Sequence, residues 1–365
     1  MNRKVITIFV VFLFVSLFNS GCVEENRTGD TSEPGEIIYP DISLEDLEIS
    51  TENFPNISSS TSAHPLAVLL ACKILNISYV WTNDIVYPYS FKNMSISNYS
   101  YLNTYQYSYF GYVNPENYIV PNSSEIGKEN IVENITYKVN RGGTHGSYVG
   151  LIDGEYDLII AARLPSDDEL ELATNKSVSL ISKSMALDAF VFILNELNPI
   201  NNLTVNQIKN IYTGNIMNWS DVGGNDSWEI TPYQRNQNSG SQELMETLVM
   251  KDLEMIPGQP MIMAYSMSGP YNKLSYNEKG IAYTVYYYKE FMANNYRNIK
   301  LCGINGIYPG YNTIHDQTYP YTTKVYVVTR NDLDPESPAY KIRDLILNEN
   351  GQEIVKESGY VPISN

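Results

Sequence analysis

The chain has 365 residues, enough for one large or two medium domains with a buried core. Hydrophobic residues make up 43% and charged residues 18%, an ordinary globular balance. The net charge of -17 argues against nucleic-acid binding, because a polyanion is repelled and no basic stripe is present; it leaves a small anion open, since a few local donors hold a buried oxyanion.

Residues 1–22 read MNRKVITIFVVFLFVSLFNSGC. Arg3 and Lys4 precede an apolar run from Val5 to Phe18 that falls short of the roughly twenty residues a bilayer span needs. This is the form of a secretory signal peptide. Asn19-Ser20-Gly21-Cys22 resembles a lipobox, which makes Cys22 the expected lipidated residue, although Asn19 stands where an aliphatic residue is usual. An uncleaved N-terminal anchor is the alternative, and both place the body outside the cell membrane. Residues 23–50 are acidic and rich in Thr, Ser, Gly and Pro, and read as a flexible tether. Sequons at Asn56, Asn76, Asn93, Asn98, Asn134, Asn202 and Asn218 are compatible with glycosylation.

Three times the chain sets small hydroxyl or glycine residues directly before an apolar run with helical spacing. The first is Ser58-Ser59-Ser60-Thr61-Ser62 before HPLAVLLACKIL, where Pro65 suits a first helical turn and the hydroxyls can cap it. The second is Gly142-Gly143-Thr144-His145-Gly146-Ser147 before YVGLIDG. Glycine lets backbone approach a ligand closely, Gly154 ends the helix, and YDLIIAA reads as a buried strand. The third, Arg235-Asn236-Gln237-Asn238-Ser239-Gly240-Ser241, follows the strand-like EITPYQ and precedes QELMETLVM. A helix start offers unpaired N–H groups and a partial positive end, which suits a tetrahedral oxyanion. Hydroxyls add donors, and a guanidinium can engage two oxygens at once. Each motif alone reads as a cap or a turn; their recurrence points to anion binding.

Between the second and third motifs, Thr204 and Gln207 form a capping box, Ile208, Ile211 and Tyr212 give a helical face, and Gly214 stops the helix. Trp219 reads as a packing anchor. The 31 tyrosines are expected mostly on strands and surfaces. Cys72 and Cys302 sit in apolar stretches and read as two buried thiols or a disulfide. His64, His145 and His315 show no metal-ligand spacing, and no cofactor is expected.

The block NPINNLTVNQIKNIYTGNIMNWSDVGGNDSWEITPYQRNQN, with SSSTSAHPL, LIDGEYDLIIAAR, LDAFVFILN, EKGIAYTVYYY and GQEIVKESGYVPI, resembles the PstS-like phosphate-binding proteins of Pst-type ABC importers. The resemblance runs from about residue 56 to the C-terminus, apart from a Tyr/Asn-rich insertion at 84–135. It implies the α/β, two-lobed periplasmic-binding-protein fold with two inter-lobe crossovers. It also implies ligand contacts from Ser60, Thr61, Ser62, Thr144, Arg235, Ser239, Gly240 and Ser241. Ser59 departs from a usual glycine, and Arg163 in AARLPSDDEL stands where phosphate binders carry an aspartate. Arg163 either adds a second guanidinium or pairs with Asp167 or Asp168. Asp188 is either the missing acceptor or a hinge residue, and His145 either faces the cleft or is structural.

The expected division places lobe one at 51–187 and 284–365 and lobe two at 188–283, closing around one anion. The expected partners are inorganic phosphate or a related oxyanion, an ABC permease, and a membrane through the lipid anchor. Binding of molybdate, tungstate or sulfate, or ligand sensing at the surface, is the alternative. With no P-loop, no Gly-x-Ser-x-Gly elbow and no carboxylate–histidine cluster, an enzyme is not expected.

Overall fold

Alternation of apolar runs with turn residues becomes alternation of strands and helices in the computed structural model, which describes residues 43–83, 116–224 and 228–363. The leader with Cys22, residues 23–42 of the tether, residues 84–115 of the insertion, and Asn93 and Asn98 lie outside the described residues. In chain order the first elements are β1 (Ile57–Ser59), α1 (His64–Ile74), β2 (Tyr79–Thr82), β3 (Tyr118–Pro121), α2 (Glu129–Lys138), β4 (Val139–Asn140), α3 (Gly143–Asp153), β5 (Leu158–Ala161), α4 (Asp167–Asn175) and β6 (Leu180–Asn195). There follow β7 (Asn202–Leu203), α5 (Val205–Tyr212), β8 (Thr231–Pro232), β9 (Gln234–Arg235), α6 (Gly240–Leu244), β10 (Met263–Ala264), α7 (Gly269–Ser275) and β11 (Gly280–Val285). The last are β12 (Ile299–Ile304), α8 (Tyr311–His315), β13 (Thr322–Arg330), α9 (Pro338–Leu347), α10 (Glu349–Ser358) and β14 (Val361–Pro362).

The 16-residue β6 organises the sheet. Its first part, Leu180–Ala189, pairs antiparallel with β13, which continues to the parallel set β5, β1 and β4. Its last part is flanked by β11 on residues Phe190–Leu194 and by β12 on Phe192–Asn195. One strand therefore belongs to two half-sheets. The expected boundary at 283/284 falls within β11 and leaves β12 in lobe one, although both strands flank the same stretch of β6.

Apolar side chains fill the space around this strand. Phe190, Phe192, Tyr212 and Tyr283 form one ring cluster, with Phe190 and Tyr283 centroids 5.4 Å apart. Tyr148, Tyr212, Tyr271, Tyr283, Tyr287, Tyr288, Tyr319 and Tyr360 are all fully buried and belong to the core, Tyr283 on strand β11. Their large rings supply apolar area that outweighs one hydroxyl each.

Other local expectations meet the structure directly. Thr204 Oγ1 accepts from the Gln207 N–H, the box closes on both sides, and Gly214 follows with a left-handed φ of 79°. Trp219 is buried. Cys72 and Cys302 are free, buried thiols, each pushed up to about 12 by burial. The tether ends earlier than residue 50, because Leu47 is buried and Leu44 and Ile49 pack against the core. The C-terminal part of the insertion is regular structure: β3 pairs with β2, and α2 follows. No helix among the described residues is long and apolar enough to cross a membrane.

Candidate functional site

The three expected motifs meet. A cavity of about 200 Å³ is lined by Ser60, Thr61 and Ser62 before α1, by Gly143 and Thr144 at the start of α3, and by Arg235, Asn236, Asn238, Ser239, Gly240 and Ser241 around α6. Ala162, Leu244 and Val285 complete an apolar side, and Ser266 and Met267 close it from the loop before α7.

Local folding explains why donors collect here. Parallel β1 and β5 end at this point, and the chain turns from each strand toward a helix, the usual place for a ligand in α/β sheets. Ser60 is anchored: its N–H donates to the Ile160 carbonyl, and its Oγ accepts from the Ala162 N–H at 2.9 Å. The same Oγ shares a 2.8 Å hydrogen bond with Thr144 Oγ1, tying the first motif to the second. Gly143 holds φ +70°, a left-handed turn that aims the first residues of α3 at the cavity.

The hydroxyls do not cap these helices, contrary to the expectation for the first motif. Among the described residues no side chain caps α1, α3 or α6, whereas Thr204, Ser337 and Asn348 cap α5, α9 and α10. The helix starts at the cavity are thus left with N–H groups for an outside acceptor.

Arg235 supplies the charge. It is 5% exposed, its Nε donates to the Ala264 carbonyl at 2.9 Å, and its N–H donates to Tyr283 Oη at 3.0 Å. Burial lowers its pKa to about 10, which leaves it a cation at neutral pH. Among the described residues no carboxylate forms an ion pair with it. Its Nη1 meets Met267 Sδ at 3.4 Å. A buried guanidinium beside hydroxyls and free amides favours an anion that accepts several hydrogen bonds.

Three expected contacts lie elsewhere. Arg163 is buried and clamps Glu169 with two 2.8 Å bonds, so it neither faces the cavity nor pairs with Asp167 or Asp168. Glu169 is the fourth residue of the Ser166 capping box, and its Oε2 also accepts from the Ser166 N–H. His145 follows Thr144 but turns away, with Nδ1 3.1 Å from Glu169 Oε1 and 3.6 Å from Asp168 Oδ2. His145, Asp168 and Glu169 thereby form a triad of metal-ligating types, but both Glu169 oxygens already serve Arg163. Asp188 sits at the middle of β6, where Oδ1 accepts from the Ala189 and Tyr287 N–H groups at 2.8 and 3.0 Å. It joins β6 to the chain leaving β11, and burial raises its carboxyl to about 7.

The loop carrying Ser266 and Met267 was not foreseen. Its signal was present, since Ser266-Met267-Ser268-Gly269-Pro270 again sets small residues before a helix.

The chain belongs to the PBP superfamily: a family model described as PBP superfamily domain matches residues 127–342. The α/β architecture is that of two-lobed periplasmic binding proteins. A substrate-binding protein from Clostridium perfringens with bound phosphate superposes with a TM-score of 0.56 at 18% identity, covering 87% of this chain and 99% of that one. An ABC-type phosphate transport receptor from Vibrio cholerae gives 0.52 at 20% identity, covering 86% and 99%. By sequence the chain is similar to the phosphate-binding protein PstS of Borreliella burgdorferi, at 27% identity over 219 residues, 59% of this chain and 75% of that protein. It is also similar to PstS of Staphylococcus saprophyticus, at 24% identity over 248 residues, 66% and 75%.

Proposed function

We propose that this chain is an extracytoplasmic solute-binding protein that captures phosphate between two lobes and delivers it to an ABC permease, held to the membrane by a lipid on Cys22. The observation that carries this reading is the convergence of Ser60, Thr61 and Thr144 with Arg235, Ser239 and Gly240 on one cavity. The similarity to PstS proteins adds the ligand, and those relatives are named as binding proteins rather than enzymes.

The lobes follow the two half-sheets around β6. The first carries Ser60, Thr61, Ser62 and Thr144; the second carries Arg235, Ser239, Gly240 and Ser241 and extends past residue 283 to include β12. An anion that touches both groups binds the closed form better than the open one and shifts the population toward closure. The closed form is what a permease would read.

A second reading concerns the anion alone. Among the described residues no Asp or Glu lines the cavity. Hydrogen phosphate brings a proton that needs an acceptor, and here only neutral oxygens and one thioether offer it. This favours fully ionised tetrahedra such as sulfate, molybdate or tungstate as competitors. Calorimetry with phosphate, sulfate, molybdate and tungstate tests both readings. Phosphate heat with weaker competitors supports the first, another anion binding in its place supports the second, and silence from all four removes the anion site. Incorporation of labelled fatty acid, abolished by Cys22→Ala, tests the anchor.

A further inference from the structure

Met267 has chemistry that the anion reading does not use. It lies in the loop between β10 and α7, directly after Ser266, which holds a left-handed φ of +62° despite its side chain. That turn brings Met267 back over the cavity. Its thioether meets the two lobe-two donors at once, 3.4 Å from Arg235 Nη1 and 3.7 Å from Ser241 Oγ. The side chain is half-buried and lines the cavity, so a small reagent that enters can reach the sulfur.

We propose that Met267 is an oxidation site that switches the cavity off, a proposal that rests on the anion-binding reading of that cavity. A peroxide is the oxidant. The sulfur lone pair attacks the peroxide O–O bond, one oxygen stays on sulfur as a sulfoxide, and the other leaves as water or alcohol. Sulfur loses two electrons and the peroxide gains them. The thioether is a weak acceptor, whereas the sulfoxide oxygen is strongly polar. Placed against a buried guanidinium, it takes a charge-assisted hydrogen bond from Arg235 and a second bond from Ser241. The two donors then have an internal partner occupying the anion's place. Methionine sulfoxide reductases reverse the change.

The test uses the full-length protein, hydrogen peroxide and inorganic phosphate, with phosphate affinity measured by calorimetry before and after treatment. Peptide mass spectrometry scores oxygen addition at Met267 and at Met261, which is 83% exposed and outside the cavity lining. Peroxide is expected to weaken phosphate binding at least about tenfold in the native chain and in Met261→Leu, in step with oxygen addition at Met267. Reductase treatment restores it. Met267→Leu, whatever its own affinity, is expected to keep that affinity through peroxide. Three results overturn the proposal: complete oxidation at Met267 with affinity unchanged, no oxidation there while Met261 is fully converted, or equal loss in Met267→Leu. If the untreated chain binds none of phosphate, sulfate, molybdate and tungstate, the anion reading itself falls and the switch falls with it; if it binds one of the others in place of phosphate, that anion becomes the probe, and binding before treatment keeps the two failures apart.

Discussion

Gly240 stands so close to Thr144 that a β-carbon on it would lie 2.5 Å from Thr144 Oγ1. The two residues stand at the starts of different helices, α6 and α3, 96 positions apart in the chain (240 − 144), and both line the cavity. Glycine is needed there because the helix start must come within contact of the opposite wall. Gly240→Ala places a methyl where Thr144 already is, and overpacking of this kind costs about 1–3 kcal/mol. Phosphate affinity is expected to fall about tenfold, since the strain arises only when the walls are in contact, with little change in melting temperature. Calorimetry and thermal melting on the same preparation separate the two, and an unchanged affinity counts against the contact.

Arg235→Lys keeps a positive charge but loses the planar fork and the Nε bond to Ala264. Affinity for phosphate is expected to drop about 100-fold, about 2.7 kcal/mol, in a titration at fixed salt. A loss under about threefold would place the guanidinium outside the binding set.

Arg163 and Glu169 make the opposite prediction. Removing one partner of a buried pair strands the other, at about 3–5 kcal/mol. Arg163→Met is therefore expected to lower the denaturant midpoint strongly while the folded protein keeps its phosphate affinity within about threefold. Binding lost with stability retained would return Arg163 to the ligand.

Asp188 predicts a dependence on pH. Burial raises its carboxyl from 3.8 to about 7, so between about pH 4 and pH 7 the native state keeps a proton that the unfolded chain has released. Stability then falls as pH rises through that window, by up to about 4 kcal/mol, and is flat above it. Asp188→Asn retains an acceptor for the Ala189 and Tyr287 N–H groups and removes the ionisation. It is expected to melt several degrees above the native chain at pH 8, with the gap closing toward pH 4. A gap that does not change with pH would mean that Asp188 stays neutral or stays charged throughout.

The cavity's hydroxyl, glycine and arginine residues were legible in the sequence because each sits within a few residues of the helix it starts. Local order is enough to recognise such a turn. Arg163 was misread because its true partner, Glu169, is fixed by the Ser166 capping box, while the more obvious Asp167 and Asp168 point outward. The placement of β12 was hidden for a different reason. It pairs with β6 across about a hundred residues of chain, and nothing in IKLCGI names that partner. Asp188 shows the limit from the other side, since a lone carboxylate in an apolar strand signals importance without saying whether it meets ligand or backbone.

Because β6 runs unbroken from one half of the molecule to the other, neither half has an edge at which it can be peeled away intact. Melting one half removes a central strand from its neighbour. Heat is therefore expected to take the whole body apart in a single cooperative transition, and a bound ligand to move that transition as one step.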